Sequence, residues 1–434
     1  MAAVGSLELT ISGGDPLGRD FPSRRRPSRR SWKEAGQTGE LAAPLLMSVK
    51  PRTSENVSIV GGSAAGFFTA YLLTRRGLPV EVYEQGEALA PAARTLIVTQ
   101  RMRDLLGPLG EGAVVNEIRR FELFTDGRAA AVPLQQPDLI IERAALIRGL
   151  AAHAQEAGAQ IKLGRKFVNL EPAGNGLLLR LRRNGSGEEF AQARTVVGAD
   201  GAASRVAQAA GWPRQHTAPL IQAVVRLPAD VPADTVRVWF VPQDTPYFYW
   251  LIPESREQGV LGLIGEDGQE TRRRLDAFLA RHDLAPLSFQ AAHIPLYTRW
   301  TPVERRLGRG RVFLVGDAAG QVKVTTVGGI VTGFRGALGV AEAILNHRAG
   351  PTLRSLRWEL TVHLLLRRAL HSFSQNDYSR LLDVLNGAAL GLLGRHSRDE
   401  ATRVLWQLCS DQPRLLLWGL RALLTGSFPR RNSA

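Results

Sequence analysis

The chain has 434 residues, 44% of them hydrophobic, which is enough for a large core shared among two or three subdomains. Its one cysteine, Cys409, excludes an internal disulfide framework and a cysteine metal cluster, and the eight histidines fall in no metal-ligand spacing, so no metal site is expected. The formal net charge is +15, but only five of the 55 basic residues are lysine and no nucleic-acid motif accompanies them, so nucleic acid is not an expected partner.

Residues 1–52 are expected to form a disordered basic extension, rich in Gly, Pro and Ser around the patch SRRRPSRR. No apolar run follows that patch, which disfavours a signal peptide, and Met47 stands as a natural start for the folded part. No stretch reaches about 18 apolar residues, so no transmembrane helix is expected. The expected location is cytoplasmic. The tail RLLLWGLRALLTGSFPRR is apolar with arginines at intervals. Packing onto the core is its ordinary use, and peripheral membrane contact is the alternative.

The stretch VSIVGGSAAGFFTAYLLTRRGLPVEVYE, residues 57–84, reads as strand, glycine-rich turn, helix, strand and acid. Gly61 permits a tight turn out of the first strand, and Gly66 lets the helix at about 65–76 pack close to the sheet. Main-chain N–H groups over Gly61, Gly62, Ser63, Ala64, Ala65 and Gly66 lie at a helix N-terminus, where a diphosphate can be held. Ser63 occupies the place where a second glycine is usual. Glu84 ends the second strand, where a carboxylate accepts hydrogen bonds from ribose hydroxyls and repels a 2′-phosphate. FAD or NAD therefore fits better than NADP.

ARTLIVTQRMRDLLGPLG is expected as a loop and a short helix, and FELFTDGRAAAVPL as a hairpin turning at Asp126-Gly127. Apolar residues recur at helical spacing from Ala145 to Ala154, Gly158 ends that helix, and QIKL resumes a strand. Two alternating strands, KFVNLEP and GLLLRLRR, lead to TVVGADG, which sets Asp200 at a strand end. Residues 217–300 carry IQAVVRLP, TVRVWFVP, YFYWLIP and GVLGLIGE around one helix, the pattern of an antiparallel sheet. VFLVGDAAG then sets Gly316 and Asp317 at another strand end, and the chain beyond about 329 reads as helical.

A fingerprint near the N-terminus, then V-G-A-D-G-x-x-S, then F-L-V-G-D-A-A-G resembles the FAD enzymes grouped with p-hydroxybenzoate hydroxylase. Within that group the chain is most similar to the geranylgeranyl reductase family, with flavin-dependent halogenases as cousins. The similarity lies in GDAAGQVKVTTVGGI, in PYFYWLIP and in the helical stretch ELTVHLLLRRALHSFSQNDYSRLLDVLN. The resemblance implies an α/β fold (α+β overall): a glutathione-reductase-type, Rossmann-like FAD-binding domain over 53–216 with 301–345. It further implies an inserted antiparallel substrate domain over 217–300 and a helical C-terminal cap over 346–434.

The same resemblance assigns residues. Gly61, Ser63, Gly66 and Glu84 match the adenosine-diphosphate site, Arg143 and Asp200 the diphosphate side, and Gly316-Asp317 the acid that bonds a ribityl hydroxyl. Gly328, Gly329 and Ile330 match backbone against the flavin ring, and Arg94 with Thr95 lies where the family places residues near it, a plain loop role being the alternative. Phe248, Trp250 and Ile252 match a motif facing the substrate cavity, although half of such an alternating strand is ordinary core. Thr325 and Thr326 would bind flavin or, more commonly, cap the next helix. His153, His282 and His363 sit in helical patterns where surface or packing roles are usual.

Departures narrow the activity. Val324 stands where the reductases often have proline, and APAARTLIVT lacks both their cysteine and the lysine that halogenases use. There is no second G-x-G-x-x-G, so NAD(P)H binds transiently or a protein donor supplies electrons. The expected function is FAD-dependent reduction of a carbon–carbon double bond in an apolar small molecule or lipid. A monooxygenase using NAD(P)H and O2 is the alternative, and a flavoprotein kept for electron transfer is a third. No residue is singled out as acid or base.

Overall fold

The computed structural model describes residues 55–411 apart from Ser186 and Asn386. The expected extension over 1–52 and the tail over 414–431 lie outside the described residues. Strand β1 (Val57–Val60) runs into helix α1 (Ala64–Thr74) and β2 (Val80–Tyr83). β3 (Thr95–Val98) and α2 (Arg101–Leu106) precede a long hairpin, β4 (Val114–Thr125) and β5 (Arg128–Glu142). Then come α3 (Arg143–Glu156), β6 (Gln160–Lys162) and a meander of β7 (Arg165–Ala173), β8 (Gly176–Arg183) and β9 (Glu188–Ala193). β10 (Thr195–Gly198) and α4 (Arg205–Ala209) lead to β11 (Thr217–Arg226), β12 (Thr235–Trp239), β13 (Tyr249–Pro253) and β14 (Gln258–Ile264). α5 (Gly268–Arg281), β15 (Pro286–Pro295), β16 (Glu304–Leu307), β17 (Gly310–Leu314) and α6 (Ile330–Asn346) follow. The last described elements are α7 (Pro351–His371), α8 (Gln375–Val384), α9 (Gly387–Arg395) and α10 (Ala401–Asp411).

The first sheet has the order β16-β17-β10-β1-β2-β6 and is parallel except for edge strand β16. A parallel sheet must be covered on both faces, and VSIV and TVVG are accordingly buried at every position. Helix α1 is almost wholly buried, and the Phe68 ring meets Phe334 of α6 edge-on with centroids 5.3 Å apart. Each phenylalanine contributes roughly 1.5–3 kcal/mol by leaving water. The chain leaves β1 for β2 on one side, while β10 lies on the other. Such a reversal opens a crevice at the carboxyl ends of the strands.

The second sheet has the order β15-β11-β14-β13-β12-β4-β5-β3. Its two faces separate by the two-residue period of a strand. Tyr249 and Leu251 pack with Leu261 and Leu263 under α5, where the Tyr249 ring stacks on Phe278 at 4.0 Å. Trp250 and Ile252 point the other way, into a cluster with Val236 and Val238. The strand expected over YFYWLIP begins only at Tyr249.

The hairpin turn is where the sequence suggests it. Asp126 and Gly127 have φ of +33° and +71°, the left-handed pair that a two-residue hairpin turn requires. The strands it joins reach much further than FELF and AAAV. β4 also pairs in parallel with β12, Arg120 facing Thr235, so this sheet gains β3, β4 and β5 beyond residues 217–300. That pairing links segments more than a hundred residues apart, which no local pattern records.

Candidate functional site

β1, β2, β10 and β17 run in parallel register, with Val60 level with both Tyr83 and Gly198, and Gly198 level with Leu314. The turns that follow them therefore leave from one edge. Gly61 has φ +105°, and a Cβ there would lie 2.5 Å from the Ala199 carbonyl oxygen. A Cβ on Gly66 would lie 2.6 Å from the Gly61 oxygen, so α1 starts hard against the turn. Ser63 caps α1: its Oγ accepts the Gly66 N–H at 3.2 Å. The N–H groups of Ala64 and Ala65 precede the first intrahelical bond and border the cavity described below. Glu84 closes the turn from behind, its Oε2 accepting from Gly62 N–H at 2.7 Å and its Oε1 from Gly86 N–H at 2.9 Å.

Three charged side chains meet beyond this edge: Arg94, Arg143 and Asp317. Arg143 opens α3 and its N–H bonds the Arg94 carbonyl at 3.0 Å. Glu142 caps α3 through Ala144 and Ala145 N–H groups at 2.9 and 2.6 Å and accepts Arg94 N–H at 3.3 Å. Burial, and then the neighbouring Arg143 charge, push Arg94 down to about 10, with Asp317 opposing. Burial likewise lowers Arg143 against the pull of Asp317 and Glu142. The Asp317 carboxyl is pushed upward by burial, opposed by both arginines. Arg94 Nε is buried without an acceptor, and Asp317 has no side-chain hydrogen bond among the described residues.

Asp200 is placed differently from its neighbours in the fingerprint. Its carboxylate accepts from Ser204 Oγ at 2.6 Å, Arg205 N–H at 2.7 Å and Val206 N–H at 3.2 Å. It holds the start of α4, and Gly201 rather than Asp200 reaches the cavity wall. Burial raises the Asp200 carboxyl, opposed by Ser204 and these N–H groups.

The loop after β17 completes the edge. Gly316, at φ +61°, donates its N–H to Gln321 Oε1 at 2.7 Å. Lys323 N–H bonds the Gly328 carbonyl at 3.1 Å, folding 323–328 into a tight loop with Val327 at φ +50°. A β-branched residue in that region is strained by about 1–3 kcal/mol. Gly329 caps α6, and a Cβ there would lie 3.1 Å from Val322 Cγ2 and 3.2 Å from Asp317 Oδ1. Gly328, Gly329 and Ile330 border a cavity of about 450 Å³ together with Ser63, Ala64, Ala65, Arg94, Arg143, Gly316 and Asp317. Gly61, Gly62, Gly66 and Glu84 shape the turn outside that wall.

Free amides at a helix start, an orphaned arginine nitrogen and an unpartnered carboxylate suit the diphosphate and polyol of a dinucleotide cofactor. The family profile described as "FAD binding domain" matches residues 54–354. The chain belongs to that family. This FAD-binding protein is an FAD-dependent oxidoreductase. It is 26% identical over 393 residues to digeranylgeranylglycerophospholipid reductase 2 of Methanothermobacter thermautotrophicus, covering 83% of this chain and 97% of that reductase. It is 27% identical over 311 residues to 6-methylpretetramide 4-monooxygenase of Streptomyces rimosus, covering 66% of this chain and 54% of that enzyme. Its fold is that of a geranylgeranyl bacteriochlorophyll reductase-like protein from Thermoplasma acidophilum, with TM-score 0.69 at 18% identity over 85% of this chain and 99% of that one.

In this FAD-binding protein the cavity continues along the second sheet. Leu123, Val236, Val238, Phe248, Trp250 and Ile252 form an apolar wall, so all three expected cavity residues border it. Polar groups that sequence reasoning passed over lie beside that wall. Gln222 bonds the Thr95 carbonyl at 3.2 Å and Gln290 at 2.6 Å. Lys323 is ion-paired with Asp399, which Thr99 also bonds, and Arg398 with Asp138 at 2.6 Å. Arg367 and Tyr247 border the cavity from α7 and the loop before β13. The one available signal for Lys323 was its position inside GDAAGQVKVTTVGGI.

Thr325 is not a helix cap: Gly329 takes that place, and Thr325 Oγ1 lies 2.6 Å from His363 Nδ1. Val324 faces Leu356, Leu360 and Leu364 of α7. His363 is thus a packing residue, pushed down to about 3 chiefly by burial and by the Lys323 charge. His282 packs on Phe278 and Trp239, and His153 pairs with Glu156 on α3.

Proposed function

We propose that this flavoprotein reduces a carbon–carbon double bond in an apolar, prenyl-like chain. The observation that carries this reading is one cavity shared by Arg94, Arg143 and Asp317 and by the apolar wall from Leu123 to Ile252. A hydride donor held at the polar part faces an apolar guest in the other. FAD, when bound and reduced, supplies hydride to a substrate carbon or activates O2.

The chain's own residues hold the cofactor in stated roles. Amides of Ser63, Ala64 and Ala65, set by Gly61, Gly62 and Gly66, take the diphosphate, with Arg143 beside them. Glu84 takes the adenosine ribose, and Asp200 acts through α4. Asp317 takes a ribityl hydroxyl beside Arg94, and the backbone of Gly316, Gly328, Gly329 and Ile330 lies against the ring system. The N-terminus of α6 favours negative charge there. The aromatic wall around Phe248 and Trp250 excludes water from the reacting bond.

NAD(P)H, acting transiently, or a protein donor supplies the electrons. No helix among the described residues is long and apolar enough to cross a membrane. Trp358, Leu365 and Trp406 are exposed on α7 and α10, which suits collection of a lipid from a membrane surface. Co-sedimentation with anionic vesicles tests that contact.

The resemblance to 6-methylpretetramide 4-monooxygenase favours a second reading, oxygen insertion with NAD(P)H and O2. Anaerobic turnover separates the two. The FAD-loaded protein, reduced by NADH or dithionite without oxygen, should reoxidise when geranylgeraniol is added and yield a product with one carbon–carbon double bond fewer per flavin reoxidised. Product formation only in the presence of oxygen establishes the monooxygenase instead. A preparation that takes up no FAD overturns both.

A further inference from the structure

Three arginines are buried among the described residues with under a tenth of their surface exposed: Arg311, Arg335 and Arg367. Arg311 is 2.9 Å from Glu304, and Arg335 is paired with Glu359. Among the described residues, Arg367 has no carboxylate within 4 Å. Taking a guanidinium out of water without an anion is costly, and buried charges are ordinarily paired.

Arg367 lies on the inner face of α7, 7% exposed, and borders the cavity. Its Nη2 donates to the Pro246 carbonyl, and its Cζ sits 4.7 Å from the centroid of the Tyr247 ring. It also faces the Tyr378 hydroxyl, which donates to the Leu370 carbonyl at 3.2 Å. Those contacts aim the fork without neutralising it. Its Nε is buried and has no acceptor among the described residues. Glu266, whose charge reaches Tyr247 and His371, is exposed and forms no ion pair with Arg367. Lys323 and Arg398, which also border the cavity, are already matched by Asp399 and Asp138.

We infer that Arg367 is the anion-recognising residue of the substrate cavity. The substrate it selects carries an oxyanion, carboxylate or phosphate, joined to the apolar chain that fills the wall at Trp250 and Ile252. The inference rests on the apolar-substrate reading above. It adds a specificity determinant: a neutral lipid leaves Arg367 buried and uncompensated, while an oxyanion supplies the missing acceptor and charge together.

The test measures equilibrium binding to the FAD-loaded protein by Trp fluorescence and flavin absorbance. Three probes share one chain: geranylgeranyl phosphate, geranylgeranoic acid and geranylgeraniol. At least one acid should bind about tenfold or more tightly than the alcohol, and the tighter acid identifies the oxyanion. Arg367→Met should erase the preference for acid over alcohol, and Arg367→Lys should keep part of it. Should Arg367→Met fail to fold, the wild-type comparison and the lysine variant decide alone. Equal binding of acid and alcohol, or a preference that survives Arg367→Met, overturns the anion site and leaves the apolar reading standing. Failure of all three probes to bind a fully FAD-loaded protein overturns both.

Discussion

Lys323 and Asp399, 76 residues apart in sequence, form an ion pair with side chains only 6% and 0% exposed. The pair ties the loop over 323–328, which borders the cavity, to the turn before α10. Burial alone would raise the Asp399 carboxyl. Lys323 and the Thr99 hydroxyl outweigh it and hold the group at about 2.

Breaking this pair from one side strands the other charge. Lys323→Met should destabilise the protein by about 3–5 kcal/mol, and Lys323→Met with Asp399→Leu should recover much of the loss. Urea unfolding of the single and double variants measures the difference. A single variant as stable as wild type refutes a buried, coupled pair.

The same groups predict acid sensitivity with a definite sign. Asp399 is depressed in the fold, so its contribution is present above the ordinary aspartate value near 3.8 and is lost as pH falls toward about 2. His363 is also depressed, from 6.5 to about 3, because burial favours the neutral ring. Between those values the unfolded chain binds the extra proton, so stability falls as pH drops from 6.5 toward 3. His363→Gln should flatten the upper part of that decline. Melting temperatures between pH 7 and 4 for both proteins give the slopes, and parallel slopes contradict the assignment.

Gly61 tolerates no side chain. With φ +105° and a virtual Cβ 2.5 Å from the Ala199 oxygen, Gly61→Ala should cost roughly 1–3 kcal/mol and displace β1 from the turn after β10. The expected readout is a lower melting temperature together with loss of bound flavin, seen as a higher ratio of protein to flavin absorbance.

Flavin retention should also separate two kinds of acid. Asp317→Ala removes an unpartnered carboxylate on the cavity wall and should weaken FAD binding about tenfold or more with little change in the stability of the apoprotein. Glu84→Ala removes two hydrogen bonds to the turn, at 2.7 and 2.9 Å, and should lower both FAD affinity and apoprotein stability. Ultrafiltration of the two variants against free FAD, with melting of the apoproteins, checks each part. Unchanged occupancy in both contradicts the proposed cofactor positions.

Local chemistry made much of this protein legible from its sequence alone. Gly61, Ser63 and Gly66 mark a strand-to-helix turn because few residues fit that backbone. Asp126-Gly127 marks a hairpin for the same reason, and the alternation around Trp250 separates a core face from a cavity face. Even the placement of Glu84, Gly201 and Asp317 along one edge follows from one rule, that parallel strands share a carboxyl edge. Tertiary structure alone decided what each polar group does once there. Ser63 caps its helix, Asp200 turns away to hold α4, and Thr325 meets His363 instead of capping α6. Lys323 finds Asp399 while Arg367 finds no acid among the described residues. These outcomes depend on contacts between segments tens to hundreds of residues apart, and burial fixes which charges must be matched. No periodicity or spacing carries that information, because the cost of an unpaired charge exists only after the chain has closed around it.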